Sequence, residues 1–300
     1  MKRLALLVLL AIVLAAAFWP PARHIALVAA GRANGCDMAH ARGIADRFRV
    51  QTATKDRILA ASRKVRTDER QFELWETPDG PYWIPRGSHY VLPFNLAEQE
   101  MKIYGDGELG VRPGDIVLDC GANVGVYTRA SLKAGAAKVV AIEPGPENVE
   151  CLRRNFEKEI AEGRVILYPK GVWDQDDLLE LLVDPENSAA DSFVIRRETA
   201  KTSIKVPLTT IDKLVAELNL PKVDFIKMDI EGAEVKAVQG ATGTLRKYRP
   251  RMALSAYHQA DHPVAVPAAA QAAQPAYQVI CGPCAEVDRW NIRPDVLFFR

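Results

Sequence analysis

Beyond position 111 the chain alternates short apolar runs with longer mixed ones. Runs 116–118, 136–143, 165–168, 223–229 and 251–257 are too short and too apolar for surface helices. They read as strands of a buried parallel sheet. Between them, 124–134, 146–158 and 210–218 carry helix-forming residues. Pro146 sits in the first turn of one, and Thr209 or Thr210 caps another. Strand–helix alternation of this kind predicts a doubly wound α/β domain. Segments 178–183 and 191–195 read as an inserted pair of strands, with 203–208 as a third. Segments 276–280 and 296–299 read as a closing antiparallel pair. The Ala-, Pro- and Gln-rich stretch 264–276 reads as a loop or a poor helix.

The first hundred residues follow other patterns. Residues 71–75 and 82–84 flank Pro78-Asp79-Gly80 and predict a hairpin. Residues 95–104 predict a short helix carrying Glu98 and Glu100. From 38 to about 70, spaced apolar positions predict an amphipathic helix. It is either solvated and packed on the domain or laid basic side down on an anionic leaflet. Residues 4–19 hold no charge, follow Lys2 and Arg3, and stop at Pro20-Pro21. A helix of that length spans roughly 24 Å, short of a hydrocarbon layer of roughly 30 Å. Two readings stay open: an uncleaved anchor, or a secretory signal cut after Ala15-Ala16-Ala17. The expected division is an anchor over 1–30, a helical linker over 31–70, a hairpin and helix over 71–110, and the α/β domain over 111–300.

Charge changes little. There are 39 Lys and Arg against 38 Asp and Glu, a formal net charge of +1. That balance implies no polyanion, hence no nucleic-acid partner. Cys281-Gly282-Pro283-Cys284 matches a thiol-redox motif in letters only, because no helix N-terminus follows to lower a thiol pKa. Two cysteines do not close a zinc site, and Cys36, Cys120 and Cys151 lack ligand spacing. The motif therefore reads as a turn, and the spacing calls for no metal.

Chemistry concentrates where strands end. Asp119 closes the first α/β strand, and Gly121 and Gly125 follow, letting the backbone turn and approach a ligand. The spacing is Gly-x-x-x-Gly, not the Gly-x-Gly-x-x-Gly of dinucleotide sites. An acid beside the turn suits a ligand with a cationic end. Glu143 closes the second strand, where such folds hold a ribose diol. Trp173 and Asp174 follow the third, placed to stack on a base and accept its amino group, or to form an ordinary loop around a buried indole. Lys227 inside the fourth strand requires a partner, since a buried ammonium is costly alone. Pairing with a nearby acid explains it as well as catalysis does. Asp229 ends that strand, and Glu231 and Glu234 follow. His258 follows the fifth strand, a base by residue type or a structural histidine.

Two blocks carry a resemblance. They are Pro113-Gly114-Asp115-Ile116-Val117-Leu118-Asp119-Cys120-Gly121-Ala122-Asn123-Val124-Gly125 and Asp224-Phe225-Ile226-Lys227-Met228-Asp229-Ile230-Glu231-Gly232-Ala233-Glu234, with Ala253-Leu254-Ser255-Ala256-Tyr257-His258 as a third match. Over roughly 75–300 the chain resembles the FkbM family of S-adenosylmethionine-dependent methyltransferases. The resemblance implies a mostly parallel, seven-stranded Rossmann-like sheet of the class I methyltransferase type. It implies S-adenosyl-L-methionine held by Asp119, Gly121, Asn123, Gly125, Glu143, Trp173, Asp174, Asp229 and Glu231. It implies methyl transfer to a hydroxyl of a sugar, glycolipid or natural product, with His258, Asp229 and Lys227 as catalytic residues. Because that donor is cytosolic, an anchor with the catalytic domain on the cytoplasmic side is expected, and a lipid-linked glycan acceptor would fit it. A nicotinamide-dependent oxidoreductase and a non-catalytic membrane-tethered scaffold are the rival readings.

Overall fold

The computed structural model describes residues 11, 19–183, 194–195 and 202–300. The apolar run 4–19 and most of the strand expected over 191–195 lie outside the described residues. Among the described residues no helix is long and apolar enough to cross a membrane.

Helices α1 (Pro20–Ala29) and α2 (Met38–Ala60) lead into a three-stranded antiparallel sheet of β1 (Arg63–Thr67), β2 (Phe72–Thr77) and β3 (Gly80–Pro85). Strands β2 and β3 are the expected hairpin. The helix expected to reach residue 70 ends at Ala60 instead. Every residue of β1 is exposed. It is an edge strand of Lys and Arg, a device that blocks edge pairing and leaves no hydrophobic pattern to read.

Helix α3 (Val91–Glu100) precedes the alternating part. There follow β4 (Ile116–Cys120), α4 (Val126–Lys133), β5 (Lys138–Ile142), α5 (Pro146–Asn155), α6 (Glu157–Ala161) and β6 (Val165–Tyr168). A small second sheet is made by β7 (Gly171–Val172), β8 (Asp177–Val183) and β9 (Thr202–Thr209). The chain then runs through α7 (Ile211–Glu217), β10 (Phe225–Met228), α8 (Glu234–Gln239), α9 (Thr242–Tyr248), β11 (Arg251–Ser255) and α10 (His262–Ala273). It closes with β12 (Val279–Cys281), β13 (Cys284–Asp288), β14 (Asn291–Pro294) and β15 (Val296–Phe299). Thr210 is the cap of α7, its side chain accepting from Lys213 N.

The main sheet has the order β12-β15-β11-β10-β4-β5-β6. Strands β6, β5, β4, β10 and β11 are parallel, and β15 is antiparallel to both β11 and β12. Alternation along the strands splits the core in two. Leu118, Val140, Ile226 and Leu254 face one side, and Val117, Val139, Phe225 and Ala253 face the other. Both faces are covered, which is why these strands read as unbroken apolar runs. Strand order reverses between β4 and β10, so their C-terminal ends border the crevice where ligands bind in open α/β sheets.

Two segments differ from expectation. The Ala- and Pro-rich stretch forms α10, with Pro263 in its first turn and Pro267 inside. Val266, Ala270 and Ala273 are buried against the core at helical spacing, and that burial overrides poor propensity. The region expected as a linker packs on the β13–β14 hairpin through Leu27, Cys36, Ile44, Cys284 and Ile292. Cys36 and Cys284 form a disulfide with Cα atoms 6.3 Å apart. No helix follows Cys284, so the redox-motif context is absent, as expected. The turn is nonetheless half of a cross-link, invisible at a sequence separation of 248.

Candidate active site

The turn after β4 is built by protein packing. Gly121 and Ala122 both donate their backbone N–H to Ile142 O at 3.0 Å. Gly121 has φ +77°, and a Cβ there would lie 1.9 Å from Asp229 O. Gly125 has φ +94°, and its Cβ would lie 2.1 Å from Phe156 Cε2. A neighbouring strand end and a ring take the space where a side chain would go, so only glycine fits at either position. Asn123, between them, has φ +50°.

Asp119 lies beneath this turn. It is wholly buried, and Thr128 Oγ1 donates to its Oδ2 at 2.7 Å. Lys227 Nζ stands 3.4 Å from Asp119 Oδ1 and donates to Gly121 O at 2.8 Å. Burial opposes charge on Lys227, but Asp119 and Asp229 outweigh it and hold the ammonium above its ordinary range. Strands β4 and β10 set Asp119 and Lys227 directly opposite one another. Asp119 thus faces a lysine rather than the open edge, and Lys227 braces the turn. The partner of Lys227 comes from the neighbouring strand rather than from Glu231 or Glu234.

Glu143 closes the other side of the turn. Its Oε2 accepts the Asn123 N–H at 2.9 Å, and its Oε1 accepts the Gly145 N–H at 2.9 Å. Burial pushes this carboxyl upward against those bonds. Further along, Trp173 N–H donates to Thr209 O at 2.9 Å, and Asp174 pairs with Lys236 at 2.6 Å. Lys236 Nζ also stands 5.9 Å from the centre of the Trp173 ring. The pair is fixed by β9 and α8, and Asp174 already has a cation.

The end of β10 gathers the remaining residues. Tyr104 donates its hydroxyl to Asp229 Oδ2 at 2.7 Å. His258 Nε2 lies 3.5 Å from both Asp229 Oδ1 and Glu231 Oε1. His258 Nδ1 lies 2.9 Å from Glu234 Oε1. Glu231 takes φ +56° and Gly232 φ +100°, a left-handed turn that folds Glu231 back toward the strand end. Burial disfavours a charged His258, yet Glu234 and Glu231 outweigh it and raise its pKa well above the usual imidazole range. The sequence leaves His258 as a base or a structural histidine, and the structure places its ring against three carboxylates.

Several residues here were not singled out as site residues from the sequence. Tyr104 and Glu234 carry contacts just described. Glu98 on α3 is pushed up to about 8 by burial and by Asp229 and Asp295. Asp295 is pushed up to about 6, chiefly by burial. The signal for Glu98 was its place on the helix leading into β4; Asp295 and Tyr104 carried none. A cleft of about 780 Å³ lies instead along the outside of α4, between Tyr104, Tyr127 and Lys133, and includes neither Glu143 nor His258.

Residues 119–271 match the methyltransferase FkbM domain. The chain is 28% identical over 174 residues to hexuronic acid methyltransferase AglP of Haloferax volcanii, covering 58% of this chain and 62% of that one. It is 28% identical over 153 residues to 2-O-methyltransferase NoeI of Sinorhizobium fredii, covering 46% and 62%. It is 24% identical over 159 residues to 31-O-demethyl-FK506 methyltransferase FkbM of Streptomyces tacrolimicus, covering 43% and 60%. The matches thus span about 60% of the length of these curated relatives. With half the chain under the family model, and with the model running from Asp119 past His258, the chain belongs to the FkbM methyltransferase family.

Proposed function

We propose that this chain transfers a methyl group from S-adenosyl-L-methionine to a hydroxyl oxygen of a sugar, glycolipid or natural product. The observation that carries the reading is the excess of partly buried acid at the β4–β10 crevice. Glu98, Asp229 and Asp295 raise or oppose one another's charge there, and such a cluster accepts a cation. The names of the relatives, all O-methyltransferases or methyltransferases of hydroxylated compounds, support the acceptor class. The turn carries Gly-x-x-x-Gly rather than Gly-x-Gly-x-x-Gly, which speaks against the nicotinamide reading.

Bound S-adenosylmethionine supplies a methyl already activated on a sulfonium. The residues of this chain have the task of alignment. Glu143 Oε2, which accepts the Asn123 N–H, keeps acceptor capacity for a ribose hydroxyl. Glu98 and Asp229 offer negative charge to the ammonium or sulfonium. Trp173 offers an aromatic face to the base. His258 stands beside Asp229 and Glu231 and orients them toward the acceptor. Proton removal then falls to one of those carboxylates or to solvent.

The uncharged run 4–19 supports an anchor, and the need for the donor supports a catalytic domain on its cytoplasmic side. The disulfide favours an oxidising compartment, but Cys36 and Cys284 are both buried and so shielded from soluble thiols.

Calorimetry with S-adenosylmethionine, followed by mass spectrometry of hexuronic-acid glycans incubated with donor, tests the reading. One donor per chain and a gain of one methyl on a glycan are expected. Failure to bind donor at millimolar concentration would overturn it.

A further inference from the structure

We infer that Asp229, Glu231 and His258 form a divalent-cation site at the acceptor side of the crevice. The inference rests on the methyltransferase reading for its purpose but not for its geometry. One ligand atom from each residue lies within 4.8 Å of the other two. His258 Nε2 is 3.5 Å from Asp229 Oδ1 and 3.5 Å from Glu231 Oε1. A first-row or magnesium ion bound at about 2.1 Å separates adjacent ligand atoms by roughly 3.0–3.5 Å. The observed edges are of that size.

A second observation points the same way. His258 has a side chain only 2% exposed. Its Nε2, the nitrogen that faces the two acids, has no aligned hydrogen bond, and Asp229 Oδ1 has none either. Nε2 and Asp229 Oδ1 therefore face one another at 3.5 Å without a hydrogen bond between them. Buried polar atoms left in that state are costly unless something else binds them.

The atoms not offered to the ion are already held. Asp229 Oδ2 accepts from Tyr104. Glu234 Oε1 accepts the Ile230 N–H at 3.0 Å and stands 2.9 Å from His258 Nδ1. A carboxylate on the far nitrogen of a ligating histidine fixes its ring orientation and raises its basicity. The left-handed turn at Glu231 and Gly232 is what brings the third ligand round.

Two carboxylates and one imidazole are a hard, mixed set that suits Mg²⁺ or Mn²⁺ over thiophilic ions. Three protein ligands leave positions open. An acceptor hydroxyl entering one of them becomes more acidic, and its proton passes to water. A sugar with adjacent oxygens could fill two such positions, which selects polyhydroxylated acceptors.

Mn²⁺ is the probe, read by loss of the free aqueous ion's electron paramagnetic resonance signal on titration with chelator-treated, full-length protein. One ion per chain is expected. Glu231→Gln, on the partly exposed turn, and His258→Gln should each weaken binding at least tenfold. Circular dichroism checks that each variant folds, and Glu231→Gln stands alone if His258→Gln does not. Donor affinity is measured on the same chelated samples. Donor binding without any Mn²⁺ uptake at millimolar concentration overturns the cation site and leaves the methyltransferase reading intact. Mn²⁺ uptake unchanged in Glu231→Gln also overturns it. Mn²⁺ uptake without donor binding sinks the methyltransferase reading and leaves the site.

Discussion

Glu143 Oε2 accepts the Asn123 N–H at 2.9 Å, although the two residues belong to different strand–helix turns. One carboxylate therefore sets both the end of β5 and the conformation of the turn after β4. Replacing it with alanine leaves the Asn123 and Gly145 N–H groups unsatisfied. The cost is about 1–3 kcal/mol for each buried group. Glu143→Ala should weaken donor binding by about 5- to 100-fold, as calorimetry would read. Unchanged affinity would exclude Glu143 from the donor site.

Lys227 neutralises Asp119 inside the sheet. Removing one partner of a buried pair is far worse than removing both. Lys227→Met should cost about 3–5 kcal/mol, and the double change Lys227→Met with Asp119→Asn should recover part of that. Urea denaturation of the three variants checks it. Equal loss in single and double variants would refute the pairing.

Gly121 has no room for a side chain. Gly121→Ala should unfold the turn and abolish donor binding, because its Cβ meets Asp229 O. Gly163 is the control, with φ +70° and nothing within 4 Å. Gly163→Ala should cost only the left-handed penalty of about 1–2 kcal/mol and keep donor binding. Thermal melts and calorimetry separate the two outcomes.

Glu98 makes stability depend on pH in an unusual direction. Its pKa in the folded chain is about 8, against 4.5 for a free carboxyl. Between those values the folded chain keeps a proton that the unfolded chain has released. Stability therefore falls as pH rises from 4.5 to 8 and is flat above. The side chain is only part-buried by area, so the effect is about 1–3 kcal/mol. Glu98→Gln should flatten that slope in denaturation curves taken at pH 5 and pH 8.5. A slope that survives in the variant would exclude Glu98 as its source.

Membrane placement has a direct assay. Full-length protein should pellet with membranes, retain Met1 or Lys2, and show three thiols in denaturant without reductant. Those three are Cys120, Cys151 and Cys281. A mature N-terminus near Phe18 would refute the anchor.

The sequence was most legible where burial is uniform. Strands β4, β6 and β10 are apolar because both faces are covered, and runs of that kind have one reading. The acids Asp119, Glu143 and Asp229 were legible as strand ends. Their neighbours were not. That Asp119 faces Lys227 depends on the register of β4 against β10, which no local pattern encodes. That His258 meets three carboxylates depends on a left-handed Glu231, a conformation that Glu rarely takes. Strand β1 escaped because an edge of basic residues has no apolar face.

The Cys36–Cys284 bond makes a covalent ring of most of the molecule. Six of the seven strands of the main sheet lie within the ring, and β15 alone lies outside it, yet β15 sits between β11 and β12, which are both inside. A protease that cuts any single peptide bond in the ring opens it without releasing a fragment. Nicked and intact chains would then run together on a gel until a reductant is added. The same bond ties the segment just before α2 to the hairpin beside Asp295, so that segment stays beside the candidate site even after such a cut.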